Sequence, residues 1–372
     1  MRKVLACGMF VLGLSILVAC SPVVEQAGAA TLVVIDQGSP CGNAVCEGPE
    51  NANNCPADCS PQVSDAATPA SEGETAIQDT TLYLGIMVHL EGWDDEGEEA
   101  QFRRHAELVR EYADLFESYG AVLTLESKEL TDGSIRWGDN VLLEMQQRGH
   151  GVGVHADIGG QRNYDCRRFA DDLRAEKEQL ESLGVGVLHV SGTVSHCDWV
   201  AASIEAGFEF TTGVVAYGVM SLPEALRPAE FRDCANPAAC HQAYPPDLED
   251  RLAPWRAASG ADWITPVAEG GLVLIPSGGG LPCMAEERAS NGSVTRCEFS
   301  EEDIAASVEE LEEALSLVEP GRINTYYVSW SLGNPLDPAL LAEWLAAIQP
   351  YVDSGQVQWV SLVDMYELYV GN

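Results

Sequence analysis

His89 and Glu91 stand at the end of one apolar run, Leu82–Leu90, and His155 closes another, Gly151–His155. Imidazole nitrogens and carboxylate oxygens ligate divalent metals, and they are also the usual proton carriers of hydrolysis. In parallel α/β folds the carboxyl ends of the strands form the active face, so a histidine ending a strand is a candidate ligand or acid/base. Residues two apart on a strand share a face, which puts His89 and Glu91 together and turns Leu90 to the other side. Two strand ends carrying His, Glu and His are the beginnings of a metal or catalytic site. The neighbouring His150 follows the helix end marked by Gly149 and reads as a structural or surface residue.

The elements that would hold these groups recur over residues 80–372. Strand-like runs at 82–90, 121–125, 151–155, 186–190, 208–214, 272–275, 323–330 and 357–362 alternate with helical patterns. One helix spans about 98–119, with Phe102, Leu108, Val109, Tyr112, Leu115 and Phe116 at helical spacing, and His105 inside it reads as structural. Another runs over 165–183 and stops at Gly184. Ser300-Glu301-Glu302-Asp303 has the form of a capping box, and Asp337-Pro338 reads as N-cap and first turn. Strand–helix alternation sustained this long predicts an α/β fold with a parallel sheet, and seven or eight strands favour a barrel. Asp94, Asp95, Glu96, Glu98 and Glu99 lack a calcium-loop spacing and read as a solvated acidic loop. The Pro-rich stretch 222–266 breaks the rhythm and reads as a disulfide-bound insertion near a barrel mouth, with His241 exposed in it.

The amino terminus is a processing signal. Arg2 and Lys3 precede the apolar run 4–19, which ends Leu17-Val18-Ala19-Cys20-Ser21 and resembles a bacterial lipobox. Residues 1–19 are thus expected to leave as a lipoprotein signal peptide, with Cys20 lipidated and residues 20–40 forming a tether. An ordinary signal peptide or a single-span anchor is the alternative. Ser21 after the cysteine favours a lipid-anchored place in the cell envelope, at the outer membrane or cell surface rather than the inner membrane. Ten further cysteines remain beyond Cys7 and Cys20, an even number that suits disulfides in an exported chain. Cys41, Cys46, Cys55 and Cys59 form a small unit over 41–59; Cys166, Cys197, Cys234, Cys240, Cys283 and Cys297 lie in the main body. In the small unit, Glu47, Glu50 and Asp58 could offer oxygens to calcium, with a disulfide-stapled spacer or zinc as other readings. Residues 60–79 read as a flexible linker. The chain carries 20 basic and 58 acidic residues. So acidic a surface repels nucleic acid and anionic headgroups, which leaves a lipid anchor as the expected contact with a membrane.

From residue 80 onward the chain resembles the polysaccharide deacetylase (NodB-homology) family. The resemblance rests on Met87-Val88-His89-Leu90-Glu91-Gly92, on Gln147-Arg148-Gly149-His150-Gly151-Val152-Gly153-Val154-His155, on Ala201-Ala202-Ser203-Ile204-Glu205-Ala206-Gly207-Phe208, and on the closing Gly355-Gln356-Val357-Gln358-Trp359-Val360-Ser361-Leu362, in that order. It implies a distorted (β/α) barrel of about seven strands and metal-dependent removal of N- or O-acetyl groups from carbohydrate or cell-wall glycan. Of the family's first-strand Thr-Phe-Asp-Asp-Gly, the base position falls on Leu90 and the ligand position on Glu91. Its His-Ser/Thr-x-x-His falls on His155-Ala156-Asp157-Ile158-Gly159, which keeps the first histidine and has glycine for the second. Its late Leu-x-His has no counterpart, since no histidine follows His241. Strand geometry permits a variant of the family's site, in which a divalent metal, zinc or similar, is held by His89, Glu91 and His155, with Asp157 as the nearest alternative base and His189 and His196 as possible acids. A non-catalytic barrel that binds glycan or serves structure at the surface is a second reading, and a metal-free glycosidase using Glu91 and Asp157 a third.

Overall fold

The computed structural model describes residues 80–91, 94–276, 299–332 and 336–371. The expected signal peptide, tether, Cys-rich unit and linker, and Cys283 and Cys297, lie outside the described residues.

Strand β1 (Leu82–Leu90) is the spine of the sheet and is buried along its whole length, as suits a strand covered on both faces. One edge pairs in parallel with β8 (Asn324–Ser331). The other edge pairs with β9 (Val357–Trp359) at its start and with β2 (Thr124–Ser127) at its end. The parallel series continues through β3 (Gly151–His155), β4 (His189–Ser191), β5 (Phe210–Thr211) and β7 (Leu272–Leu274). A short β6 (Trp255–Ala257) lies antiparallel on β7, completing a nine-stranded sheet. This is the α/β fold expected, a mostly parallel sheet with helices that curls into a half-barrel, with nine strands where a barrel of about seven was anticipated. Among the described residues no ladder joins β8 to β7. Tyr327 on β8 spans that seam instead, its hydroxyl taking a hydrogen bond from Gly213 N at 2.8 Å and facing Ile275 O at 3.4 Å.

Alternate side chains of β1 serve different cores. Leu82, Leu84, Ile86, Val88 and Leu90 face the helices. Tyr83 and Met87 face inward, onto Phe210, Val273, Tyr327 and the carboxy-terminal helix α9 (Leu362–Gly371). Helix α1 (Glu99–Glu117) buries Phe102, Ala106, Val109, Ala113 and Phe116, a stripe repeating every three to four residues. Full burial of each phenylalanine contributes roughly 1.5–3 kcal/mol relative to exposure. Helix α7 (Glu301–Ser316) starts with the predicted capping box, in which Ser300 and Asp303 bond each other's backbone. Helix α8 (Pro338–Asp353) starts with Asp337 accepting from Ala339 N. No helix of the described residues is long and apolar enough to cross a membrane.

Two local readings are corrected. Asp95 is not part of a solvated loop: it is fully buried, with His105 Nδ1 2.7 Å from Oδ1 and the Trp137 indole donating to its carbonyl. The Pro-rich stretch 222–266, read as an insertion that breaks the strand–helix rhythm, itself adds a strand to the sheet, since Trp255–Ala257 within it forms β6. Alternation too short to register in three residues hides such an edge strand.

Candidate active site

Strand register brings the polar groups into one layer at the carboxyl ends of β1 to β4. His89 pairs with Glu126, Glu126 with Gly153, and His155 with Ser191. Side chains paired across parallel strands point the same way, so all of these face the interior. Gly153 leaves the gap that His189 fills: a Cβ there would lie 2.2 Å from His189 Nε2. His189 thereby reaches Glu126 while its ring stacks on Phe210 at 4.6 Å.

Glu126 is the centre of this layer and was not anticipated. It is fully buried, with His89 Nε2 3.0 Å from Oε2 and His189 Nε2 3.3 Å from Oε1, and the Thr212 hydroxyl donates to Oε1. Burial by itself would push its carboxyl up, but the two facing imidazoles outweigh that and hold it well below the ordinary range. The one sequence signal for it was a carboxylate directly after the apolar run 121–125.

The predicted residues sit one step nearer the mouth. His155 Nε2 lies 3.0 Å from Glu91 Oε2, and its Nδ1 lies 2.8 Å from the Ser191 hydroxyl. His89 Nδ1 lies 3.9 Å from Glu91 Oε1, and the two imidazole rings are 4.0 Å apart. His89, His155 and Glu126 offer ligand atoms that all lie within 4.8 Å of one another. His89, Glu91 and His155 line a cavity of about 110 Å³, together with Asp157, Pro237 and His241. At about 30 Å³ per water this space holds three or four waters, or a group the size of acetyl. Glu91 remains 28% exposed to it.

The other predicted residues divide. Asp157 reaches the cavity rim, largely exposed, with Lys128 Nζ 3.8 Å from Oδ2. His189 lies beneath the cavity on Glu126 rather than along its wall. His196 lies apart, its Nε2 3.7 Å from Cys166 Sγ and 3.8 Å from Cys197 Sγ. Those two sulfurs form a disulfide, which removes the thiolates a metal would need there. Gly159, at φ +85°, has no room for a side chain: a Cβ would meet the Phe169 ring at 2.8 Å and Ser195 Oγ at 3.0 Å. His241, read as exposed, is half-buried and forms part of the cavity wall. The disulfide Cys234–Cys240 closes the short loop directly before it. His150 is buried rather than superficial, its Nδ1 accepting from Leu123 N at 3.0 Å.

The sequence matches no protein-family model and no curated protein. Among solved structures the fold is similar to that of a provisionally assigned polysaccharide deacetylase from Mycobacterium smegmatis, with a TM-score of 0.51 at 13% identity over 82% of this chain and 95% of that one. A second such assignment, from Pseudomonas aeruginosa PAO1, aligns with a TM-score of 0.49 at 12% identity over 77% of this chain and 90% of that one. An allantoinase, Puue, gives 0.47 at 13% identity over 77% and 89%. The likeness to the mycobacterial structure is one of fold, and chemistry has to be argued from the site.

Proposed function

We propose that this chain is a divergent deacetylase-like hydrolase that removes acetyl groups from carbohydrate, with a divalent metal held by His89, Glu91 and His155. The carrying observation is that His89 Nδ1, His155 Nε2 and Glu91 converge on one cavity at the carboxyl ends of β1 and β3. Two imidazoles and a carboxylate suit zinc or a similar ion, and three protein ligands leave a position open. When bound, such an ion polarises an acyl carbonyl and lowers the pKa of water. Glu91, which pairs His155 at 3.0 Å, supplies the negative charge that favours a cation here. Asp157 at the rim is placed to accept a proton from incoming water. His241, which also lines the cavity, would hand one to the departing amine or alcohol. The cavity's size suits the acyl group, while the sugar would rest outside, against the rim.

Elemental analysis of the purified, tag-free chain tests this reading. One tightly bound divalent ion is expected, and Glu91→Ala or His155→Ala should lose it together with acetyl release. No metal above trace level sinks the reading. It would leave the non-catalytic glycan-binding barrel, in which the part-buried Glu91–His155 pair is a structural contact. The lipobox-like Leu17-Val18-Ala19-Cys20 supports a lipid-anchored site of action in the cell envelope, where cell-wall glycan is at hand.

A further inference from the structure

Among the described residues a second group of side chains, apart from the cavity, has the composition of a metal site. Cys166 lies in the short helical turn before α4 (Phe169–Glu181), and His196 and Cys197 lie in the loop between β4 and α5 (Trp199–Ala206). Their ligand atoms all lie within 4.8 Å of one another. The two sulfurs are joined, so in this state neither is a thiolate. His196 Nε2 stands off both, 3.7 Å from Cys166 Sγ and 3.8 Å from Cys197 Sγ. These separations decide what the group can do once the bond is open. Ligands of one tetrahedral ion, bound at about 2.3 Å through sulfur and about 2.0–2.1 Å through nitrogen, lie roughly 3.6 Å apart as sulfur and nitrogen and roughly 3.8 Å apart as two sulfurs. The imidazole therefore already stands at a shared ion's distance from each sulfur, and only the sulfurs have to part.

We propose that reduction of Cys166–Cys197 opens a site for a divalent ion of the zinc type, held by Cys166, Cys197 and His196, so that the same two segments are stapled by a disulfide or by a metal. Cys166 is exposed and Cys197 only 4% so, and an incoming thiol therefore reaches Cys166 Sγ first. A dithiol supplies the two electrons. Its first thiolate bonds to Cys166 Sγ, the Cys166–Cys197 bond breaks, and Cys197 leaves as a thiolate beside the imidazole. Its second thiolate closes the reagent's own disulfide and frees Cys166 as a thiolate. The two protons of the dithiol pass to solvent, and two thiolates and a neutral imidazole meet the ion. Three protein ligands leave a fourth position for water. The loop fixed in this way also shapes the cavity, because Gly192 and Val194 line it. Within that loop Ser195 Oγ donates to Gly159 O at 2.6 Å and accepts from Cys197 N at 3.1 Å. An ion spanning the three residues keeps this wall in place where a disulfide would not survive. The site is independent of the metal reading of the cavity, whose ligands include no sulfur.

The experiment uses the full chain, reduced with dithiothreitol and freed of the reagent without oxygen. It is then alkylated with iodoacetamide with or without zinc(II), and each cysteine is read by peptide mass spectrometry. Zinc should protect Cys166 and Cys197 together. Cobalt(II) in its place should add a sulfur-to-cobalt charge-transfer band, which an ion in the cavity, with only nitrogen and oxygen ligands, does not give. His196→Gln, with its thermal melt checked, keeps both thiols and should lose the protection at zinc concentrations that shield the wild type. Equal alkylation of Cys166 and Cys197 with and without zinc overturns the proposal without recourse to any variant. So does a disulfide that the dithiol leaves intact in the folded chain. Undiminished protection in a folded His196→Gln overturns the three-ligand site. Protection of both cysteines in a chain whose cavity takes up no ion supports this site and instead overturns the metal-dependent reading of the cavity.

Discussion

At position 153 even the methyl of alanine would stand where the His189 imidazole now lies, 2.2 Å from Nε2. Gly153→Ala should push His189 off Glu126 and cost about 1–3 kcal/mol, the usual range for overpacking a well-filled core. Urea denaturation checks this; an unchanged midpoint would mean that the buried layer is slack. His241 makes a different demand, since it lines the cavity without supporting the sheet. His241→Ala should leave the melt and the bound metal unchanged while lowering kcat about 10²–10⁴-fold, the usual contribution of a general acid. Equal rates for wild type and variant would remove His241 from the chemistry. Both residues show where reading the chain reached its limit. His89, Glu91 and His155 were visible because they stand at the ends of apolar runs, and the structure brings them to one cavity. Glu126 and His241 were not, because one belongs to a strand of four residues and the other to an irregular loop.

At the scale of elements, β3 is held by its first turn as well as by its ladder. His150, just before it, accepts a hydrogen bond from Leu123 N through Nδ1 and faces Glu117 at 3.1 Å through Nε2. Burial lowers its pKa below the ordinary 6.5, and the pairing with Glu117 only partly opposes this. A proton on Nδ1 would also confront the Leu123 N–H. The unfolded chain therefore binds a proton here before the folded one does, so this part of the stability is complete above about pH 6.5 and declines as pH falls below it. His150→Gln should flatten that decline. The difference in unfolding free energy between pH 7.5 and 5.5 should be smaller in the variant than in the wild type, and a parallel decline in both would refute the assignment. Long elements with regular spacing were legible: β1 was expected at 82–90 and lies there, and α1 keeps its apolar stripe. Short ones were legible only in part: β5 was expected over 208–214 and is two residues long, while β6, with three, was missed because it owes its form to the neighbour it pairs with.

For the whole molecule, a half-barrel with a polar layer at its strand ends follows an amino terminus that, as sequence, reads as an anchor. If Cys20 carries lipid, Cys20→Ser should abolish labelling from radioactive palmitate and move the protein from the membrane fraction to the soluble one. A variant that stays with the membrane would mean that something other than lipid holds it. The barrel itself was legible from strand–helix alternation, but its seam was not. Tyr327 spans by one hydroxyl what a complete barrel closes by a ladder, and a lone tyrosine in an apolar strand gives no sign of that duty. Gly159 bears on how such a molecule could change over generations. With its backbone left-handed and Phe169 and Ser195 already in the space beyond its Cα, no single codon change there can install a working histidine. Phe169 and Ser195 would both have to yield first. Sterics thus keep a second histidine out of this turn, and variation at the site has to run through Glu126, Glu91 and the loop that carries His241.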